Sequence, residues 1–179
     1  MWVPHRRIPT AKDGEQVFEI NDLVVYENGG VCRVEEIASP DFVKNNELYY
    51  TLQPLFDKAG TIYVKVENDR HVLRHIISKD EASGYLDGLE DIEPMYSKDD
   101  KTRDREFKEA LKSCDLRRWI SMLKGILAER NRRLDQGKKL NIGDERNMQK
   151  VGKLIISEYA AVMDMKLEEA RAMIEGTIN

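Results

Sequence analysis

The chain has 179 residues, of which 41% are hydrophobic and 35% charged, with a formal net charge of −4 at pH 7; that allows one ordinary domain or two small ones, with a real core and a strongly ionic surface. No apolar run approaches the roughly eighteen residues a membrane span requires. The opening MWVPHRRIPTAKDGEQ lacks the apolar stretch of a secretory signal, so the expected location is the cytoplasm, with no membrane partner.

Residues 1–16 carry Pro4, Pro9 and Gly14 among mixed charges without periodicity, and read as a flexible leader, native or added. From Phe18 the pattern becomes short β-branched runs: Ile20, Leu23 to Tyr26, Val31 to Val34 and Ile37. Asn28-Gly29-Gly30 between two such runs supplies the positive φ angles of a tight hairpin. Leu48 to Leu52 and Thr61 to Val66 alternate as two further strands, with Asp57 to Gly60 as the turn between them. Several short strands at this spacing predict a small barrel-like sheet over residues 17–77. So small a module has a marginal core alone, so contact with the rest of the chain is expected.

After Val72 to Ile77 the period turns helical. Ser78 or Asp80 caps a short helix reaching about Leu89, and Pro94 ends the linker that follows. A helix from about Thr102 to Lys112 carries Phe107 and Leu111 on one face at the i, i+4 spacing. Asp115 is a good N-cap for the strongest helix, Leu116 to Gln136, with Leu116, Trp119, Ile120, Leu123, Ile126, Leu127 and Leu134 at three- and four-residue steps and Gly137 as its C′ residue. A second long helix runs from Gly143-Asp144 to Met163 along Met148, Val151, Leu154, Ile155, Tyr159 and Val162. A short helix, Leu167 to Ile174, ends the chain. The class is α+β, a β-module followed by an antiparallel helical bundle over residues 78–179.

Charge divides along the same boundary. Between Val17 and Ile77 six Lys and Arg face ten Asp and Glu; between Lys98 and Lys153 seventeen face ten, so the two segments carry −4 and +7. A basic half hidden by an acidic average points to nucleic acid or another polyanion. Arg117-Arg118 open the main helix beside Trp119, whose place on the apolar stripe makes it core. Arg130, Arg132, Arg133, Lys138 and Lys139 crowd the other end, where the helix dipole favours cations in any case.

No catalytic constellation is apparent, so the chain reads as a binding protein and not an enzyme, with no cofactor and no metal. His71 and His75 flank a strand end without Cys, Asp or Glu at zinc spacing. No phosphate-cradling Gly loop occurs, and Asp99-Asp100 and Glu168-Glu169 suit helix starts. Cys32 and Cys114, far apart in differently patterned halves, read as two free thiols.

The segments Phe18 to Tyr26, Gly30 to Ile37, Tyr49 to Leu52 and Ile62 to Val66, followed by an all-helical remainder, resemble the CarD family of bacterial transcription regulators. The resemblance covers nearly everything after the leader. It implies a Tudor-like β-barrel module that binds the β subunit of RNA polymerase, a module that also occurs in transcription-repair coupling factors. It further implies a helical domain that contacts promoter DNA at the upstream edge of the melted bubble and modulates open-complex stability. The chain is expected to act as a monomer. By position, Lys65 matches a polymerase-contacting basic residue, with Tyr63 beside it and Arg33 on the second strand. Arg103, Arg105 and Arg146 fall at or near DNA-contacting positions, and Lys101, Arg117 and Arg118 extend that basic set.

Three positions depart from the family pattern. Asn21 stands where Gly is frequent and Glu27 where Pro is common. Some members insert a Trp into the minor groove just before the bundle; the corresponding place here is near Asp99-Asp100, with Met95 and Tyr96 the nearest substitutes. A protein–protein adaptor, whose basic bundle meets an acidic protein instead of DNA, is the alternative reading.

Overall fold

The computed structural model describes residues 18–27, 29–44, 46–57, 60–67 and 71–178; the leader, Asn28, and the Lys58-Ala59 part of the second expected turn lie outside them. Five strands come first: β1 Leu23–Tyr26, β2 Gly30–Ala38, β3 Tyr49–Pro54, β4 Ile62–Lys65 and β5 Leu73–His75. Five helices follow: α1 Lys79–Asp87, α2 Asp100–Lys112, α3 Leu116–Leu134, α4 Ile142–Met163 and α5 Leu167–Ile178, with a 3-10 turn at Leu89–Asp91. The α+β class holds.

The strands form one antiparallel sheet in the order β4-β3-β2-β1-β5, which corrects the expected closed barrel. β4 and β5 occupy opposite edges, and no pairing joins them among the described residues. The physical reason lies in the two faces. Val24, Tyr26, Cys32, Val34, Leu52 and Val64 share a small core with Phe18, whereas the alternate residues Val25 and Val31 belong to the core of the helices. The other face covers itself: Phe18 packs against Tyr50 of β3 and His75 of β5, so the curled sheet buries the small core with no pairing of its edge strands among the described residues.

Local geometry follows from particular residues. Gly30 has φ +64 at the end of the β1–β2 hairpin, where Tyr26 pairs with Gly30. The β2–β3 register shifts between Val34 and Glu36, so Glu35 and Glu36 are both exposed while Val34 and Ile37 pack inward. Asn21 adopts φ +77, a left-handed conformation that suits Gly and is tolerated by Asn. Glu27 donates its backbone N–H to the Val72 carbonyl at 3.3 Å, a bond Pro could not make. Its buried carboxylate sits 2.6 Å from His71 Nδ1.

Each expected helix is present, with small differences at the ends. Ser78 and Glu81 form a reciprocal capping box on α1. Asp99 Oδ1 accepts from Thr102 N at 2.8 Å, which starts α2 two residues before the expected Thr102. Asp115 caps α3 and Asn141 caps α4. α3 stops at Leu134, and Gly137 at φ +69 closes it through a Lys138 N to Arg133 O bond of 2.9 Å. α5 continues past Ile174 to Ile178.

The sheet and the helices are locked together by Arg74 of β5 and Glu158 of α4. Glu158 is 0% exposed, on the stripe that also carries Val151, Leu154, Ile155 and Tyr159. Arg74 meets it fork to fork, Nη1 to Oε1 at 2.6 Å and Nη2 to Oε2 at 2.9 Å. Glu158 Oε1 also accepts the Ile77 N–H at 3.2 Å. Arg74 Nε donates to the Cys114 carbonyl at the α2–α3 corner, and the guanidinium lies 5.9 Å over the Trp119 ring. One ion pair thus ties β5, the α2–α3 corner and α4. Burial pushes the Cys32 and Cys114 thiols, both free, up to about 12, so neither is a reactive thiolate at neutral pH.

Removing either partner strands a buried charge, so Arg74→Ala or Glu158→Ala should each lower the unfolding free energy by about 3–5 kcal/mol. The paired apolar replacement Arg74→Met with Glu158→Leu should cost far less. Urea denaturation of the three variants measures both effects.

Candidate nucleic-acid and polymerase interfaces

α2 is a two-faced helix. Arg103, Phe107, Ala110 and Leu111 are its buried residues, at i, i+4, i+7 and i+8. Lys101, Arg105, Lys108 and Lys112 recur at i, i+4, i+7 and i+11, and all four are exposed. At 3.6 residues per turn that row lies opposite the buried face and runs about 16 Å. Lys108 pairs with Asp104 at 2.7 Å, an exposed contact that is easily exchanged. Lys101, Arg105 and Lys112 make no ion pair among the described residues. The sequence marks Lys101 and Arg105 as candidates with Lys108 near them; the helical period adds Lys112.

Arg103 stands apart from that row. It is 9% exposed, and its guanidinium is spent within the fold. Nε donates to Asp144 at 3.1 Å, Nη1 to the Ser97 carbonyl at 3.0 Å and Nη2 to Asp100 at 2.7 Å. Its Cζ lies 4.9 Å from the Tyr96 ring centre. The structure therefore makes Arg103 a brace between α2 and α4, with its charge directed inward. The signal was present in the sequence: Arg103 falls four residues before Phe107, on the apolar face.

The stretch before α2 is also fixed. Tyr96 Oη donates to Asp144 at 2.6 Å, and burial together with that bond pushes the phenol well above its ordinary range. Met95 N–H donates to the Ser121 carbonyl at 2.9 Å. Its own carbonyl sits so close to Gly125 that a Cβ there would collide with it, so α3 needs Gly125 at this crossing. Met95 and Tyr96 are thus half-buried parts of the bundle, with the Tyr96 hydroxyl already engaged.

The other basic candidates differ in how free they are. Arg118, at the start of α3, and Arg146, at the start of α4, are exposed without an ion pair among the described residues. Arg117 is exposed and donates to the Asp91 carbonyl at 3.3 Å. Arg132 and Arg133 both bind Glu129, at 2.7 Å each, so one of their two charges is cancelled locally. Hydrogen bonds from Arg132, and then Arg133, outweigh burial and hold the Glu129 carboxyl down at about 2.

In the β-module, alternation and register put Tyr63 and Lys65 on one face of β4. By the same alternation Arg33, paired with Gln53 across β2 and β3, shares that face, opposite the small core. Tyr63 is 43% and Phe42 65% exposed, and their rings meet edge to face at 5.0 Å. Lys65 is 2.6 Å from Glu47. β4 is an edge strand, so among the described residues no strand pairs with its outer backbone groups, the arrangement that allows pairing with another chain. The aromatic pair escapes a sequence reading because Phe42 and Tyr63 lie on separate segments.

Residues 18–77, which hold these five strands, match the model of the CarD-like/TRCF RID domain family. The β-module is therefore a CarD-like RNA-polymerase-interacting domain. A search of curated proteins finds no match to the chain. Among the described residues no group of three or more His, Cys, Asp or Glu is placed to hold a metal ion, and no helix is long and apolar enough to cross a membrane.

Glu129 supplies a pH test. Its folded carboxyl titrates at about 2 against an ordinary 4.5, so its contribution to stability is full above the ordinary value and is lost as pH falls through the folded one. The stability gap between the natural chain and Glu129→Gln should be widest near pH 5 and narrow toward pH 2 in chemical denaturation.

Proposed function

We propose that this chain is a CarD-like transcription regulator that binds the β subunit of RNA polymerase with its sheet and upstream promoter DNA with its helices. The observation that carries the DNA half is the α2 row of Lys101, Arg105, Lys108 and Lys112. Cations on a straight face of about 16 Å match the rise of roughly five base pairs of one strand. Contacts of this kind reach phosphates and carry no sequence information. Arg118 and Arg146 are the further candidates; Arg103 is left out because it is buried and each of its three nitrogens already donates within the fold.

For the polymerase half, the RID match is supported by the exposed Phe42–Tyr63 pair, Lys65 and the open edge of β4. Aromatic anchors beside a charge and a free strand edge suit an interface built by strand pairing. The regulator would act by differential binding, its DNA contact being made better in the open complex than in the closed one, which lengthens the life of the open state. It would consume no nucleotide and need no cofactor.

Two measurements test the two halves separately. In fluorescence anisotropy with duplex DNA, affinity should be weak and fall with salt. Replacing Lys101, Arg105, Lys108 or Lys112 by Gln should make the salt slope shallower by about 0.9 for each phosphate no longer neutralised. A slope unchanged by all four replacements would remove α2 from the interface. In a pull-down with the isolated polymerase β lobe, Tyr63→Ala and Lys65→Glu should each weaken retention at least tenfold while the α2 variants leave it unchanged. Polymerase retention without DNA affinity at low salt would favour the adaptor reading.

A further inference from the structure

α3, α4 and α5 enclose an open groove of about 570 Å³ on the helical half. It belongs neither to the α2 row nor to the sheet. Its lining includes Leu127, Met148, Leu167 and Ile178, all only half-buried although large and apolar. Gly152 of α4 also lines it, and a Cβ placed there would meet nothing within 4 Å. The α4 backbone is therefore bare at the groove, which lets another chain approach closely.

Its charges have one dominant sign. Arg130 of α3, Lys153 of α4 and Arg171 of α5 stand on its walls, against the single carboxylate Glu175. Arg130 makes no ion pair among the described residues; its Nη1 reaches only Met148 Sδ at 4.0 Å, and its Nε is buried without a hydrogen-bond partner. Arg171 meets Glu175 at 3.5 Å with both side chains largely exposed, a contact of little worth. Lys153 pairs with Asp57 at 2.6 Å, again at the surface.

We infer that this groove docks an acidic amphipathic helix of a partner protein. The wall given by α5, from Leu167 to Ile178, is about 16 Å long, or three helical turns. An apolar groove of that length accepts side chains at i, i+3, i+4 and i+7. One cation on each of three helices spreads positive charge around the groove, which suits several flanking carboxylates better than the one head group of a fatty acid. The inference is independent of the proposed polymerase and DNA contacts.

The test uses the full chain, labelled with nitrogen-15, and three synthetic helical peptides of about fourteen residues. They share a Leu stripe and differ only in their flanks: Glu, Gln or Lys. The Glu-flanked peptide should bind most tightly and saturate amide shifts at Leu127, Met148, Gly152 and Ile178. Gly152→Leu fills the open space and should weaken that binding at least tenfold without lowering the melting temperature. Arg130→Glu should shift the preference toward the Lys-flanked peptide. The inference fails if the Glu-flanked peptide gives no saturable shift at millimolar concentration, if the Lys-flanked peptide binds the natural chain equally well, or if Gly152→Leu binds unchanged. It fails equally if dodecanoate fills the groove where the peptide does not, or if sedimentation shows a dimer that Gly152→Leu abolishes.

Discussion

The pairing of Arg74 with Glu158 decides how the two halves of this protein relate. A carboxylate on the apolar stripe of α4 would be prohibitively costly alone, and a guanidinium brought in on β5 makes it tolerable. That guanidinium also holds the Cys114 carbonyl and covers Trp119. The edge of the sheet nearest β5 is thereby committed to the helices, and the opposite edge, β4, pairs with no further strand among the described residues. A structural ion pair thus sorts the molecule into an inner contact and an outer one.

The same logic explains which basic residues can serve a ligand. The excess of +7 between Lys98 and Lys153 is not all available. Arg103 is consumed by Asp144 and Asp100, Arg132 and Arg133 share Glu129, and Lys124 donates to the Leu89 and Ile92 carbonyls at 2.6 Å each. Of what remains outward, Lys101, Arg105, Lys108 and Lys112 are aligned by the helical period on α2. If polymerase is gripped by the sheet and DNA by α2, the Arg74 clamp fixes the distance between those grips, so that each contact would orient the other.

Much of this was legible in the sequence, for reasons that are local. Ser78 and Asp115 each start a helix because their side chains satisfy N–H groups within three residues; Asp99 and Asn141 do the same for α2 and α4, which begin slightly before the expected Thr102 and Gly143. The strands were legible from alternation, and the RID resemblance from residues 18–66. Closure of the sheet was not, because it depends on whether β4 and β5 meet, which no local pattern records, and Phe18 set against Tyr50 and His75 covers the small core without it. The burial of Arg103 was hidden for a similar reason: its charge is visible in the sequence, while its partner Asp144 lies 41 residues away. Glu158 escaped notice although it sits at core spacing between Ile155 and Val162; its partner is 84 residues distant.

The most direct test of the account is the lifetime of open promoter complexes in vitro. Purified polymerase would be challenged with competitor DNA in the presence of the natural chain, or of a chain with Lys101, Arg105, Lys108 and Lys112 all changed to Gln. The natural chain should prolong the open state, and the altered chain, still bound to polymerase, should leave it near the lifetime of polymerase alone. An altered chain that binds polymerase and prolongs the open state as fully as the natural one would contradict the account.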